Sequence, residues 1–175
     1  MSYNKLKSLV ANVEAIATAM KIRIDDRQAT DQEKEVLSRY SGFGGIKDVL
    51  SIGTEHTVSN DVAEHIHRLQ DLIEAYPYYD DAMRQAVIDS IKSSVLTAFY
   101  TPKFLIDAVA RQIHATFMDN GLQMRTFLEP SAGIGVFLPV AMPDTRGYAF
   151  EKDCLTGLIL SLLHDKTTTV TVSRR

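Results

Sequence analysis

The chain has no tryptophan and only one cysteine, Cys154. A lone thiol excludes an internal disulfide, and without further cysteines there is no cluster of the kind that holds structural zinc. Excess positive charge is missing too: 19 Lys and Arg stand against 22 Asp and Glu, a net charge of −3. This balance does not advertise nucleic-acid binding, which usually draws on a net basic face, although a local basic patch is compatible with it. The opening Met1-Ser2-Tyr3-Asn4-Lys5-Leu6-Lys7 leads into an amphipathic run broken by Glu14 and Lys21, so neither a signal peptide nor a membrane span is expected. The expected setting is a reducing cytoplasm, with no membrane partner. No internal repeat, low-complexity run or long linker interrupts the 175 residues, of which 45% are hydrophobic and 23% charged, enough for one core or two small ones.

The first hundred residues read as mostly helical. From Tyr3 to about Ile22, Leu6, Leu9, Val10, Val13, Ile16, Ala17 and Met20 recur at three- and four-residue steps, the stripe of a helix packed on one side. Thr30 and Glu33 have the spacing of a capping box, which starts a short helix running to Tyr40. Ser41-Gly42-Phe43-Gly44-Gly45-Ile46-Lys47 then lacks the Gly-Lys-Ser/Thr ending of a phosphate loop and follows a helix rather than a strand. It reads either as a helix C-cap and turn with left-handed glycines, or as a loop over a ligand or neighbouring domain with Phe43 as its anchor. Lys47 to Leu50 begins another helical turn, and Ser51 to Ser59 is polar and expected to be exposed. Further helices are expected over Asp61 to Tyr76, ended by Pro77, and over Asp80 to Ser93. His65 and His67 lie two apart, so on a helix they diverge and cannot share a metal.

At Phe99-Tyr100-Thr101-Pro102 the pattern changes. Thr101 can cap a helix with Pro102 in its first position, and Leu105, Ile106, Val109, Ile113 and Phe117 form its expected buried stripe. After Asn120-Gly121, a strand ending at Glu129 is expected. A short helix over Val136 to Val140, ended by Pro143, a second strand Gly147 to Glu151, a helix Cys154 to Leu163 and a third strand Thr167 to Ser173 follow. Strand, glycine turn, helix, strand ending in an acid, helix, strand is the first half of a parallel, doubly wound α/β sheet, whose ligands lie outside the carboxyl ends of the strands.

The chemistry concentrates in Thr126-Phe127-Leu128-Glu129-Pro130-Ser131-Ala132-Gly133-Ile134-Gly135-Val136-Phe137. Gly133 and Gly135 permit positive φ and a close approach of backbone N–H groups to a ligand. The dinucleotide pattern G-x-G-x-x-G is incomplete, because Leu138 stands at the third glycine position, and Glu129 would repel a pyrophosphate. A carboxylate there attracts an ammonium group, and S-adenosylmethionine carries one. Glu151, at the end of the second strand, can accept hydrogen bonds from the two hydroxyls of a ribose, a feature that NAD shares.

Taken together, Phe99-Tyr100-Thr101-Pro102, Leu128 through Phe137, and Ala149-Phe150-Glu151-Lys152-Asp153 resemble in order and spacing the opening motifs of the amino-group DNA methyltransferases that make N6-methyladenine. The N-terminus, the segment Tyr40 to Lys47 and the segment Ser94 to Pro102 resemble the large methyltransferase and helicase fusion proteins of conjugative transposons, so the likeness covers nearly the whole chain. The resemblance implies a helical N-terminal region, residues 1–98, followed over 99–175 by the first half, about three parallel strands, of a Rossmann-like class I S-adenosylmethionine-dependent sheet. It implies that Tyr100, Thr101 and Pro102 flank the methionine end of S-adenosylmethionine. Glu129, Ser131, Ala132, Gly133 and Gly135 would form the turn around its amino and carboxylate groups, with Phe137 shaping the pocket. Glu151 would hold the ribose, and Lys152 and Asp153 would border the adenine.

One family motif is missing. The Asn/Asp-Pro-Pro-Tyr/Phe tetrapeptide that receives a flipped adenine does not occur, since Pro77, Pro102, Pro130, Pro139 and Pro143 all lack that neighbourhood. The chain is therefore expected to be the N-terminal piece of a DNA adenine methyltransferase, without catalytic residues or metal and inactive alone, its DNA partner belonging to the parent protein. The open edge of a half sheet invites a homodimer. The alternative is a non-catalytic module that docks DNA or another partner and keeps the glycine turn unused. A nicotinamide-dependent enzyme is disfavoured by the missing third glycine.

Overall fold

In the computed structural model, residues 4–54, 59–141, 144–164 and 168–172 are described. The expected capping box opens on Thr30: its hydroxyl accepts the Glu33 N–H while the Glu33 carboxylate accepts the Thr30 N–H at 2.9 Å. Arg27 grips the same carboxylate through two nitrogens, at 2.8 and 2.6 Å, and this pairing, with the Thr30 amide, holds Glu33 down at about pKa 2. Helix α2, Asp31–Leu37, starts there and ends three residues short of Tyr40. Helix α1 covers Lys5–Ile24, its N-terminus capped by Asn4, which accepts the Lys7 N–H at 3.0 Å. Leu9, Val13, Ile16 and Met20 are buried along its stripe, as their spacing requires.

Asn12 lies fully buried within that stripe. Its Nδ2 donates to the Gly42 carbonyl at 2.6 Å, and its Oδ1 accepts the Ser41 N–H at 2.8 Å. A buried amide satisfied on both sides fixes the loop it touches. Gly42 and Gly45 adopt φ of 69° and 72°, but α2 is already closed at Ser38, so these glycines are not its C-cap. Phe43 is buried in the core of the helical unit, edge-on to Tyr40, and anchors the loop there. A side chain at Gly44 would collide with the Ala98 carbonyl, and Gly45 N–H donates to the Val95 carbonyl at 2.8 Å. The segment thus acts as an internal joint between α1 and the end of the helical unit. A 3-10 helix, Lys47–Ser51, follows, and Ile52 is buried, contrary to the polar, exposed stretch expected over Ser51 to Ser59. Helices α3, Asn60–Ala75, and α4, Asp81–Ser94, complete this part, with Ile66, Leu69, Ile73, Val87 and Ile91 buried.

The chain divides between Phe99 and Tyr100 into two compact units. The second is α/β: α5 covers Lys103–Asp119, β1 Thr126–Glu129, β2 Arg146–Glu151, α6 Cys154–Leu163 and β3 Thr168–Val172. The strands are parallel in the order β1-β2-β3. Leu128 stands opposite Tyr148, and Phe127 and Glu129 stand opposite Gly147 and Ala149, which sorts the side chains onto two faces. Phe127 packs on a cluster of Ala132, Leu138, Ala149 and Leu160, and α6 covers that face with Leu155, Ile159 and Leu160. On the other face Leu128 is 60% exposed and Phe150 42%.

Three local expectations give way here. Pro102, not Thr101, occupies the N-cap of α5, and no side chain caps the helix. Of its expected buried stripe only Ile106 is buried, while Leu105 and Val109 are exposed and Ile113 and Phe117 half-buried, because α5 rests on the short 3-10 turn Leu138–Val140 rather than across the sheet. That turn replaces the helix expected over Val136 to Val140. Met1 to Tyr3, residues 55–58, Pro143, Thr167 and Ser173 to Arg175 lie outside the described residues.

Replacing Asn12 with Ala strands the Gly42 carbonyl and the Ser41 N–H in an apolar setting. The variant is expected to lose about 2 kcal/mol of stability, typical for orphaned buried hydrogen-bonding groups, and denaturant melting of the full chain checks this.

Candidate functional site

The carboxyl ends of β1 and β2 bring together most of the residues singled out by sequence. The turn after β1 is hooked onto the end of β2 by two successive amides: Ala132 N–H donates to the Phe150 carbonyl at 2.9 Å, and Gly133 N–H to Glu151 Oε2 at 2.7 Å. Gly135 N–H donates to the Ala132 carbonyl at 2.7 Å. These three amides are therefore spent inside the protein, whereas the glycines had been expected to turn their N–H groups toward a ligand. The positive φ expected of them is present, 55° at Gly133 and 80° at Gly135.

What the glycines make room for is also protein. A Cβ on Gly133 would come within 2.7 Å of Tyr100 Cε1, and one on Gly135 would collide with the imidazole of His164 and with Leu138 and Leu160. His164 Nε2 lies 3.0 Å from the Ile134 carbonyl, so the tautomer with a proton on Nε2 donates to it and braces the turn. His164 carried no sequence signal, because its partner is 30 residues away in the chain.

Glu151 is well satisfied. Besides Gly133, its Oε1 accepts the N–H groups of Lys152 at 2.7 Å and Asp153 at 2.8 Å. A carboxylate offers about four lone-pair sites. Three are taken, which leaves one for a ribose hydroxyl where a pair of hydroxyls had been expected. Asp153 caps α6, accepting the Thr156 N–H at 2.7 Å and the Thr156 hydroxyl at 2.6 Å. The three-residue spacing of Asp153 and Thr156 is an N-cap signal that the sequence does carry.

Glu129 is the opposite case. It shares the face of Ala149 and Glu151, it is 8% exposed, and its Oε2 is wholly buried with no hydrogen-bond partner among the described residues. Burial, reinforced by the neighbouring Glu151 carboxylate, pushes its pKa up to about 7. Ala132 is buried at the base of the turn, Phe137 is half-buried beside it, and Ser131 and Lys152 are exposed. Thr101 is half-buried and Pro102 exposed at the start of α5. Among the described residues no group of three or more His, Cys, Asp or Glu is placed to hold a metal ion. No helix among them is long and apolar enough to cross a membrane. The helical unit holds an apolar groove lined by Ala17, Met20, Ile24, Leu72, Ala75 and Tyr76, with Lys21 at its edge, which offers no carboxylate to a cationic ligand.

Comparison with protein-family models, curated proteins and solved structures finds no match to this chain. The geometry of the site therefore carries the functional argument.

A carboxyl whose folded pKa lies above its unfolded value of 4.5 binds more protons when folded, so its contribution falls as pH rises from about 4.5 to about 7 and is flat above. The depressed Glu33 contributes with the opposite sign and only at lower pH, its loss running down from 4.5 toward 2. The melting temperature of the protein minus that of Glu129→Gln is expected to drop between pH 5 and pH 7, an order-of-magnitude window set by the raised carboxyl. A difference that stays flat across this range contradicts the assignment.

Proposed function

We propose that this chain is the S-adenosylmethionine-binding N-terminal portion of a DNA adenine N6-methyltransferase, its second unit being part of a Rossmann-like class I methyltransferase sheet. The observation that carries the reading is the buried Glu129 carboxyl at the mouth of a glycine turn, its Oε2 without a hydrogen-bond partner among the described residues. Such a group is costly to hold without a counter-charge, and an ammonium placed against it removes the cost. A pyrophosphate would meet two carboxylates, Glu129 and Glu151, and amides already engaged with the protein, so a dinucleotide fits worse.

On this reading Glu129 takes the ligand's ammonium, with Ser131, Ala132, Gly133 and Gly135 forming the turn beside it and Phe137 supporting that turn. Glu151 offers its remaining lone pair to the ribose, Lys152 and Asp153 border the base, and Tyr100, Thr101 and Pro102 close the methionine side. When bound, S-adenosylmethionine supplies an electrophilic methyl on its sulfonium. The chain itself supplies affinity and orientation. It has no Asn/Asp-Pro-Pro-Tyr/Phe motif to hold an acceptor amine, so the reading makes it inactive alone, with DNA engaged by the parent protein.

A second reading, a non-catalytic docking module, draws on a separate observation. Parallel sheets are normally covered on both faces, yet Leu128 and Phe150 are exposed and β1 is an edge strand. A second copy pairing along β1 is the partner this reading favours.

Titration calorimetry separates the two. S-adenosylmethionine is expected to bind at micromolar concentration, to lose roughly tenfold or more in affinity in Glu129→Gln, a loss in line with a broken charge-assisted bond, and not to be displaced by NAD, which lacks the ammonium. Glu151→Ala should also abolish binding, but it frees three backbone amides as well, so Glu129→Gln is the cleaner variant. No labelled methyl should reach DNA from the chain alone. Absence of heat at millimolar cofactor, together with a concentration-dependent dimer, supports the docking module instead.

A further inference from the structure

Tyr100 stands at the beginning of the second unit, yet its ring lies against Gly133 in the turn after β1, and its hydroxyl is hydrogen-bonded to Thr156 in the first turn of α6, after β2. The Thr156 hydroxyl also donates to Asp153 Oδ1 at 2.6 Å, so Thr156 ties the phenol to the cap of α6. Tyr100 therefore bridges the two turns that frame the carboxyl ends of β1 and β2, the place where ligands of parallel sheets bind. The charged groups that face it are Glu151 and Asp153, both acidic. Burial above all, and then the two carboxylates beside it, keep the phenol protonated.

We propose that Tyr100 is a latch across the candidate site: ring on Gly133 and hydroxyl on Thr156, it closes the space between the two turns, and a ligand entering that space displaces it. Thr156 is the catch. The proposal rests on the cofactor reading for the identity of the ligand, but the closed latch is a property of the protein alone. Ligand affinity is then lowered by the work of opening, and weakening the catch raises it. A tyrosine that served only to contact the ligand would give the opposite sign.

The test has two arms. In the first, affinity for S-adenosylmethionine is measured on the full chain by calorimetry. Tyr100→Phe, which keeps the ring and leaves the Thr156–Asp153 bond intact, and Thr156→Val are both expected to bind about fivefold tighter, the equivalent of one ordinary hydrogen bond, with Thr156→Ser restoring the original affinity. Unchanged or weaker binding in Tyr100→Phe overturns the latch. The second arm needs no cofactor. Treatment with N-acetylimidazole and peptide mapping should leave Tyr100 unmodified in the natural sequence while Tyr78, which is 60% exposed, is acetylated, and Thr156→Val should make Tyr100 reactive. If S-adenosylmethionine binds to none of the proteins but this pattern holds, the cofactor reading fails and the latch stands. If Tyr100 is acetylated in the natural sequence as readily as Tyr78, the latch is wrong.

Discussion

The second unit depends on the hook between the turn after β1 and the end of β2. Two neighbouring amides, Ala132 and Gly133, reach across to the Phe150 carbonyl and the Glu151 carboxylate. This hook fixes the left-handed turn, brings the acids at the two strand ends onto one face, and sets where Tyr100 and His164 rest. It also decides the division of labour between the acids. Glu151 is drawn into three backbone hydrogen bonds and becomes a structural clamp with one lone pair to spare. Glu129, two residues before the turn begins at Ser131, is left behind the clamp with its Oε2 unpartnered among the described residues.

An unpaired buried carboxyl is an energetic fault unless something answers it. Protonation answers it in the unliganded protein, which is what a pKa raised to about 7 means. A cation answers it better, because Coulomb attraction in a site screened from water replaces hydration that burial has removed. The same protein thus holds one acid for shape and one for charge. Natural structures tolerate a local fault of this kind where it serves function, and Glu129 is the described carboxylate that has it.

Local physics made much of this legible in advance. The Thr30–Glu33 box, the apolar stripe of α1, the positive φ at Gly133 and Gly135 and the parallel order of the strands all follow from signals contained within a few residues. What escaped was set by distant partners. Asn12 reads as an interruption in a helix stripe until the Gly42 carbonyl, 30 residues on, is found beside it. His164 shows its role only when the turn it supports is in place. The apolar residues of α5 predict a buried stripe, but periodicity says which face is apolar and not what lies against it, and here Ile106 alone of that stripe is buried. The glycines were read correctly as a turn and misread in purpose, since the space they leave is filled by Tyr100 and His164.

On the function proposed above, Glu129 is kept without a counter-charge for a cationic ligand. Carbon-13 NMR of its side-chain carboxyl, assigned by comparison with Glu129→Gln, follows that group directly. Without ligand the resonance should titrate near pH 7, and saturating S-adenosylmethionine should move its midpoint below that of an ordinary glutamate, 4.5. A midpoint already at the ordinary value, or one near 7 that the cofactor leaves in place, would contradict it.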